Sequence, residues 1–290
     1  MRAKKFKAKS IVVIFLLLLP IYQVFAINPS PADGGWLEVS KPGGYAFAAN
    51  HEDFGKNLID RNEFTLEMWF YMKRDFRFGE VWVLLDKEGS YMLALRGPIF
   101  DSNGNRPIPL EESHIAVELF LYAPNGSNNF GASYTTKEEL LNQWHHIVYV
   151  HDKNDNWFYI DGVQFAGLRT GDEGILDYTD DPLYIGGTTI DIDQRWNAKS
   201  LVQFSGGLID EVRISDKVRY PVNGEIIAVS QGRFEPDENA LALWHFDGDR
   251  TKWLKDASGH EHTLTAVNLN YYSVGVSGKL PTIWGQIKSN

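Results

Sequence analysis

The stretch Glu63-Phe64-Thr65-Leu66-Glu67-Met68-Trp69-Phe70-Tyr71-Met72 decides the fold class, because its side chains alternate in character over ten residues. One face takes the apolar set Phe64, Leu66, Met68, Phe70 and Met72, and the other face takes the residues between them. A period of two belongs to a β-strand, in which successive side chains point to opposite faces. The stretch therefore predicts one long strand with an apolar face turned toward a core.

Shorter stretches along the chain alternate in the same way or are apolar on both faces. Alternating apolar residues occur at 81–85 and at 115–121. The stretch 157–160, Trp-Phe-Tyr-Ile, is apolar or aromatic at every position, as in a strand that is buried on both sides. It is followed by Asp161-Gly162, a dipeptide typical of a two-residue hairpin turn.

Helix signals are few in this sequence. The best is a capping box from Thr136 to Glu139, which opens onto Leu140 and Leu141 and predicts a helix of about two turns. Many short strands separated by turn residues indicate a sandwich rather than a helical bundle. We therefore predict an all-β fold, a two-sheet antiparallel jelly-roll β-sandwich whose inner faces bury each other.

The two ends of the chain differ from its middle. Residues 1–26 carry five basic residues and no acidic one, followed by an apolar run at 11–19 that ends before Pro20. This order predicts a secretory signal peptide that is cleaved after Ala26; the alternative is an uncleaved anchor, for which the run is short. The predicted organisation is a signal peptide (1–26), a linker (27–35), the sandwich (36–276) and a C-terminal tail (277–290).

Charge and cysteine content exclude several classes of function. The formal net charge is −10, and because residues 1–26 are basic, the remainder of the chain is still more acidic. An acidic surface repels phosphate backbones, so we expect no nucleic-acid partner. The same charge suits either a bound cation such as calcium or plain solvation. The chain has no cysteine, which excludes disulfides and thiolate metal sites.

Four segments, taken in order, carry a family resemblance. They are EFTLEMWF (63–70); WHHIVYV (144–150) with WFYIDG (157–162); PLYIGG (182–187) with FSGGLIDEVRI (204–214); and LALWHFDG (241–248) with DASGH (256–260). Their order and spacing resemble the LamG-like jelly-roll modules of the concanavalin A-like lectin/glucanase superfamily. The resemblance implies a two-sheet jelly roll that binds carbohydrates, proteins or other surface ligands, in some members with calcium. It names no single ligand, because this fold hosts many functions.

Asp210 is the most informative carboxylate in the sequence. In strand alternation it shares a face with Leu208, Val212 and Ile214, and that face should be the core. A buried carboxylate needs a cation or several hydrogen bonds. As in related jelly rolls, Asp210 would be a structural calcium ligand helped by backbone carbonyls, with Glu38 as a second donor. The alternatives are capping by loop amides, or a bulge that turns the side chain outward.

A second calcium hypothesis concerns the loop that carries Asp191 and Asp193. This loop resembles one that holds acidic ligands in the pentraxins, which are calcium-binding relatives, and Asp86 stands in a stretch comparable to their other acidic loop. The resemblance implies that the oxygens of these three residues converge on a calcium ion at the rim. The alternative is that nearby basic residues, Lys87 and Arg195, simply neutralise the acids.

Tryptophans are candidate contacts for a sugar, because aromatic faces bind the apolar faces of sugar rings. Trp196 is the first candidate, since it is flanked by Arg195 and Asn197 in a loop. Trp157 is the second candidate, and Trp82 is a third tryptophan that could belong to the same sugar-stacking platform. The alternative for each is that the ring simply fills the sandwich core.

The sequence shows no motif of a catalytic site. Neither Glu-x-Asp-x-x-Glu nor Glu-x-Asp-x-Glu, the patterns of laminarinase-type enzymes of this superfamily, occurs. A Gly-x-Ser-x-Gly elbow and a phosphate-binding P-loop are also lacking. His145 and His146 are adjacent and point to opposite strand faces, whereas His260 and His262 can share a face, but no third ligand is evident.

We therefore predict an exported, non-catalytic binding module, located outside the cell, at its surface or in a periplasm. Its expected partner is a carbohydrate or an extracellular or cell-surface protein, with calcium as the expected cofactor. We expect no membrane span in the mature chain. The alternatives are a glycoside hydrolase of the same superfamily and a structural protein-interaction module without a small ligand.

Overall fold

A computed structural model describes most of the chain. The described residues are 29–100, 107–108, 114–122, 128–153, 155–169, 176–198, 200–222, 226–228, 232–249 and 251–272. The predicted signal peptide at 1–26 and the predicted tail at 277–290 lie outside them. Within the described residues, no helix combines the length and the hydropathy that a membrane-spanning helix needs.

Strands dominate the described part of the chain. They are β1 (Trp36–Val39), β2 (Tyr45–Ala48), β3 (Glu63–Met72), β4 (Glu80–Lys87), β5 (Tyr91–Arg96), β6 (Ile99–Phe100), β7 (Pro107–Ile108), β8 (His114–Tyr122), β9 (Asn128–Thr136), β10 (Trp144–Asp152), β11 (Asp155–Ile160), β12 (Val163–Arg169), β13 (Leu183–Ile185), β14 (Val202–Gln203), β15 (Gly207–Ser215), β16 (Ala240–Trp244), β17 (Thr265–Val267) and β18 (Asn270–Tyr272). The helical elements are a 3-10 turn (Glu52–Phe54), α1 (Lys56–Arg61), α2 (Lys137–Leu140) and α3 (Ile192–Arg195).

The strands form two large sheets that pack face to face. Sheet A has the order β12-β11-β10-β3-β15-β1-β18, and β16 also pairs with β15. Sheet B has the order β17-β2-β13-β4-β5-β8-β9, and the short β14 runs parallel to β4. All other pairings in these two sheets are antiparallel. The predicted two-sheet antiparallel sandwich is therefore confirmed.

The stretch that opened the sequence analysis forms β3, a central strand of sheet A. Its apolar set is wholly buried between the sheets, packed with residues of β4, β5 and β8 from sheet B. Trp82 and Trp244 are also buried in this core, so Trp82 cannot contact a ligand. Burying apolar area at about 25 cal/mol per Å² makes this shared interior the main stabilising term.

The outer faces of both sheets are covered too, which alternation alone did not indicate. On sheet A, the segment 216–222, 226–228 and 232–235, called here the sheet A cover, packs Tyr220 and Ile227 against Val148 and Val150. On sheet B, the segment 188–198 and 200–201, called the sheet B cover, packs on Val83 and its neighbours. The outer face of each sheet therefore makes apolar contacts with its own cover.

A bulge in β15 corrects the predicted position of Asp210. The register with β3 shifts between Asp210 and Arg213, and Glu211 takes a left-handed conformation with φ 52°. Before the bulge Leu208 faces outward, whereas after it Val212 faces the core. The extra residue changes the phase of the strand, so Asp210 lies with Leu208 on the outer face of sheet A.

Two local signals in the sequence, a turn and a capping box, are present in the structure. Asp161 and Gly162, with φ of 51° and 79°, make the tight turn between β11 and β12. The capping box of Thr136 and Glu139 is present and starts α2, which is one turn long rather than about two. Leu141 ends that helix because its backbone is already extended.

Candidate functional site

The sheet B cover is shaped by two aspartates that bind backbone amides. Asp191 is the N-cap of α3 and accepts a hydrogen bond from the amide of Gln194 at 3.2 Å. Asp193 accepts from the amides of Ser200 and Leu201 at 2.8 and 2.7 Å. Short polar side chains of this kind satisfy amides that a helix end or a loop leaves unpaired. Both carboxylates therefore hold the cover in place.

Trp196 follows α3 and is anchored by its edge. Its Nε1 donates to Oε2 of the buried Glu118 at 2.5 Å, and its ring meets Phe120 edge-on with centroids 5.3 Å apart. Arg96 pairs with the same glutamate at 2.7 Å. A half-buried indole that is fixed by a hydrogen bond is a preorganised aromatic surface.

A cleft on the cover is lined by residues of the segment just before Trp196 in the chain. The guanidinium of Arg195 lies 4.4 Å above the ring of Tyr122, which orients it by a cation–π contact. The cleft has a volume of about 310 Å³, within the range of small-ligand sites. Its lining residues are Glu88, Ile190, Asp191, Gln194 and Arg195.

Asp86 lies under the same cover and is wholly buried on β4. Oδ2 accepts a hydrogen bond from the hydroxyl of Thr188 at 2.5 Å, and Oδ1 makes none. Burial raises the pKa of Asp86 to about 6, although the Thr188 hydrogen bond and the positive charge of Arg195 oppose the rise. The carboxylate is thus poorly stabilised in its ionised form.

The structure does not bring Asp86, Asp191 and Asp193 together as the predicted rim calcium site requires. Among the described residues, these three do not form a group of ligand oxygens within 4.8 Å of one another. The physical reason is local, since the two loop aspartates bind amides of their own segment and Asp86 is buried beneath Thr188. Only Asp191 lines the cleft.

Asp210 lies in a different environment, on the outer face of sheet A. It is wholly buried, Oδ1 accepts from the amide of Glu211 at 2.8 Å, and the Ser30 hydroxyl is a further nearby donor that lowers its pKa. Burial raises its pKa well above the usual range, and the nearby carboxylates of Glu211 and Asp247 raise it further. The predicted second donor, Glu38, is instead paired with Lys73 at 2.5 Å.

Trp157 and Trp196 lie on opposite sides of the sandwich. Trp157 packs on the outer face of sheet A with Val148 and Ile227, whereas Trp196 belongs to the cover of sheet B. The two rings therefore cannot form one platform. Each remains a predicted ligand contact on its own face.

The sequence reasoning missed several residues near the candidate site. Glu118 stands at an outward position of an alternating strand, where a solvent-exposed acid is the ordinary expectation, and nothing in the sequence pairs it with Arg96. Phe78 and Phe100, 47% and 52% exposed with ring centroids 4.5 Å apart, form an exposed aromatic pair that no local pattern reveals. Long-range pairing brings these residues together, so no sequence window contains the signal.

A solved structure shares this architecture at low sequence identity. A protein from Bacteroides ovatus ATCC 8483, described as a "putative carbohydrate binding protein", is 18% identical with a TM-score of 0.54 over 83% of this chain. The match spans 60% of that protein's chain. The binding domain of botulinum neurotoxin DC in complex with SialylT is 11% identical with a TM-score of 0.43, covering 67% of this chain and 41% of that one.

Sequence comparison adds the family. No curated protein matches the chain with significant similarity. A family model, Laminin_G_3, described as concanavalin A-like lectin/glucanases superfamily, matches residues 43–222. This range holds β3, β4 and most of both sheets, together with the sheet B cover. The chain therefore belongs to this family of the concanavalin A-like lectin/glucanases superfamily.

Proposed function

We propose that this chain is an exported, non-catalytic carbohydrate-binding module whose ligand contacts the cleft on the sheet B cover. The observation that carries the proposal is the juxtaposition of Trp196, an aromatic ring held by its edge, with the oriented Arg195. Sugar rings present apolar faces that stack on aromatic rings and hydroxyl groups that bind charged and amide side chains. The cleft supplies the polar groups of Arg195, Gln194 and Asp191, and the ring of Trp196, the next residue along the chain, would supply the apolar face.

The family supports a ligand-binding role at a coarse level. The fold hosts many functions, so the ligand class must be argued from the site. The description of the Bacteroides ovatus protein adds support for a carbohydrate rather than a protein partner. Export is inferred from residues 1–26 alone, and N-terminal sequencing of secreted protein, with Ile27 as the expected first residue, tests it.

Calcium at Asp210 is the second part of the proposal, although among the described residues Asp210, Glu211 and Asp247 do not form a group of ligand oxygens within 4.8 Å of one another. Asp210 is wholly buried, and the nearby carboxylates of Glu211 and Asp247 raise its pKa while the Ser30 hydroxyl lowers it. A buried anion of this kind is stabilised by a cation with oxygen ligands, and calcium is the common one outside the cell. We propose that Asp210 holds a structural calcium, which would support the bulged end of β15 rather than contact the sugar.

Replacement of Trp196 by Ala tests the sugar site. We expect glycan binding by the purified full chain, screened on an array and measured by titration, to weaken about tenfold or more, since an aromatic contact is worth ~1.5 kcal/mol. Trp157→Ala is the matched control because this tryptophan lies half-buried on the opposite face. It should leave the affinity unchanged.

Other results would point to the alternatives. If only Trp157→Ala weakens binding, the site lies on sheet A and the cleft assignment is wrong. Release of reducing sugar from polysaccharides would favour a glycoside hydrolase. Failure of the folded protein to bind any glycan, with and without calcium, would favour a protein-interaction module.

A thermal melt in calcium and in chelator tests the metal proposal. Calcium at 100 times its Kd should stabilise the wild type by about 2.7 kcal/mol. Asp210→Asn should abolish this gain, while Asp193→Asn should retain it because Asp193 is engaged with backbone amides. An equal calcium response in the wild type and in Asp210→Asn would rule out Asp210 as a ligand.

A further inference from the structure

Three histidines surround one buried aspartate at the junction between β2 and the C-terminal part of the chain. Asp53 is only 3% exposed and lies in the 3-10 turn that follows His51. His260 and His262 come from the loop before β17, more than 200 positions later in the sequence. In the sequence, His260 and His262 have no evident third ligand, and the fold brings His51 and Asp53 to them.

All three imidazoles approach the same oxygen, Oδ2 of Asp53. His262 Nε2 and His260 Nδ1 each lie 2.8 Å from it, and His51 Nδ1 lies 3.2 Å from it. The ligand atoms of His51, Asp53 and His262 all lie within 4.8 Å of one another. Ligand atoms around a tetrahedral ion with 2.0–2.1 Å bonds are about 3.4 Å apart, so small side-chain rotations would close the set.

Hydrogen bonding alone leaves one of these contacts unfavourable. The amide of Asp53 donates to His51 Nδ1 at 3.2 Å, so that nitrogen carries a lone pair rather than a proton. The same lone pair lies 3.2 Å from the anionic Oδ2. An ion bound here would remove this repulsion, and because an imidazole nitrogen has one lone pair, the exposed ring of His51 would turn from the Asp53 amide to bind it.

The surrounding structure holds the ligands in place. The backbone of His262 is fixed at both ends, because its amide donates to Asp256 at 3.1 Å and its carbonyl accepts from Trp244 Nε1 at 2.7 Å. Its ring packs against Phe54 with centroids 4.6 Å apart. Oδ1 of Asp53 accepts from Asn57 at 2.5 Å, which turns Oδ2 toward the histidines. Such outer contacts are what orient metal ligands.

We propose that His51, Asp53 and His262 bind one first-row transition-metal ion of the zinc class, with His260 orienting the Asp53 carboxylate. Two imidazoles and one carboxylate match the ligand preference of zinc, whereas calcium takes oxygen ligands. His51 is exposed, so the ion can enter from solvent and a coordination position stays open. The ion would join β2 to the segment before β17 and stabilise the fold independently of any sugar.

The test uses the full chain, made without a polyhistidine tag and stripped of metal. Titration with zinc should show one equivalent bound, and a Co²⁺-loaded sample should show the intense visible bands of a tetrahedral site. His51→Ala should weaken zinc binding at least tenfold. Because His51 is exposed but accepts a hydrogen bond from the Asp53 amide, the melting temperature of His51→Ala in chelator should fall only slightly, and zinc binding is the deciding readout.

His145→Gln is the matched control, since His145 pairs with Asp161 at 2.6 Å in an isolated histidine–aspartate contact. It should bind zinc as the wild type does. Millimolar calcium should not displace the zinc. The proposal is overturned if the wild type binds less than one equivalent, if His51→Ala binds zinc as tightly as the control, or if calcium competes equally.

Discussion

The outer faces of the two sheets each bury a carboxylate under a covering segment, yet the pKa values of the two carboxylates are shifted in opposite directions. Glu67 lies beneath the sheet A cover and Asp86 beneath the sheet B cover, and both are at most 1% exposed. Glu67 is surrounded by cations and donors, whereas Asp86 has one hydroxyl partner. The contrast shows that burial alone does not set ionisation, because the partners decide it.

Glu67 is fully paired. Its Oε1 accepts from Arg213 at 2.7 and 2.8 Å, and its Oε2 accepts from Tyr220 at 2.6 Å and lies 3.3 Å from His146. Burial raises its pKa, but the His146 hydrogen bond and the Arg213 charge outweigh it, so the pKa lies below its usual value. The Glu67 network is a buried, charged cluster that holds the sheet A cover against the sheet through Tyr220.

On the outer face of sheet B the buried carboxylate has fewer partners, and the cover leaves a cleft. Its cover is held by Asp193 and by the contact of Trp196 with Glu118. The buried Asp86 below it keeps one oxygen without a partner. Ligand sites often come from the less stable parts of a structure, so the cover above the poorly paired Asp86 is a candidate for binding.

The largest expected effect comes from breaking the paired face. Glu67→Ala should lower the free energy of unfolding by about 3–5 kcal/mol, because it leaves Arg213 and its neighbours buried without a counterion. Urea denaturation at neutral pH measures it. Glu63→Ala on the same strand is the control, since its pair with Lys153 is largely exposed and should contribute about 0.5 kcal/mol. Equal losses of unfolding free energy in the two variants would show that the Glu67 network contributes no more than an exposed ion pair.

The second test changes the unpaired carboxylate. The folded-state pKa of Asp86 is about 6 against an ordinary value of 3.8, so between those pH values the folded state binds more protons than the unfolded state. Its contribution to stability is therefore present at low pH and is lost as pH rises to about 6. The shift corresponds to roughly 3 kcal/mol.

Asp86→Asn removes this titration. Relative to the wild type, the variant should gain stability as pH rises from about 4 to 6, measured by denaturant unfolding at each pH. Glu67→Gln supplies the opposite sign, because a lowered pKa makes its contribution present above the unfolded-state value and lost as pH falls. If the stability difference from the wild type changes with pH in the same direction in both variants, the contrast between Asp86 and Glu67 is wrong.

The smallest effect should come from loosening the sheet B cover. Asp193→Ala removes two amide contacts and should cost about 1 kcal/mol. Hydrogen exchange should accelerate in 188–201 and remain unchanged in β3. Asp249→Ala, in an exposed turn, is the control and should leave exchange in the cover unaltered. Faster exchange throughout sheet B would mean that the cover is part of the core.

Sequence patterns predicted the elements better than the site. The alternation of β3 and the Asp161-Gly162 turn depend on neighbours in the chain, and both were confirmed. Alternation placed Asp210 on the core face, but the register shift at Glu211 produces the alternative, a bulge that turns the side chain outward. Of the predicted calcium ligands on the cover, the aspartates bind their own backbone, a local competition that residue type alone cannot reveal.

By itself, the sequence determined that this chain folds as two antiparallel sheets around a shared apolar interior, because hydrophobic alternation acts over a few residues. Only the tertiary structure decided that Glu67 is fully paired under the sheet A cover and that Asp86 keeps an unpartnered oxygen under the sheet B cover. It alone brought His51 and Asp53 to the histidines that lie far along the chain. Such groupings are made by long-range packing, where the partner of a residue is set by the fold and not by its neighbours in sequence.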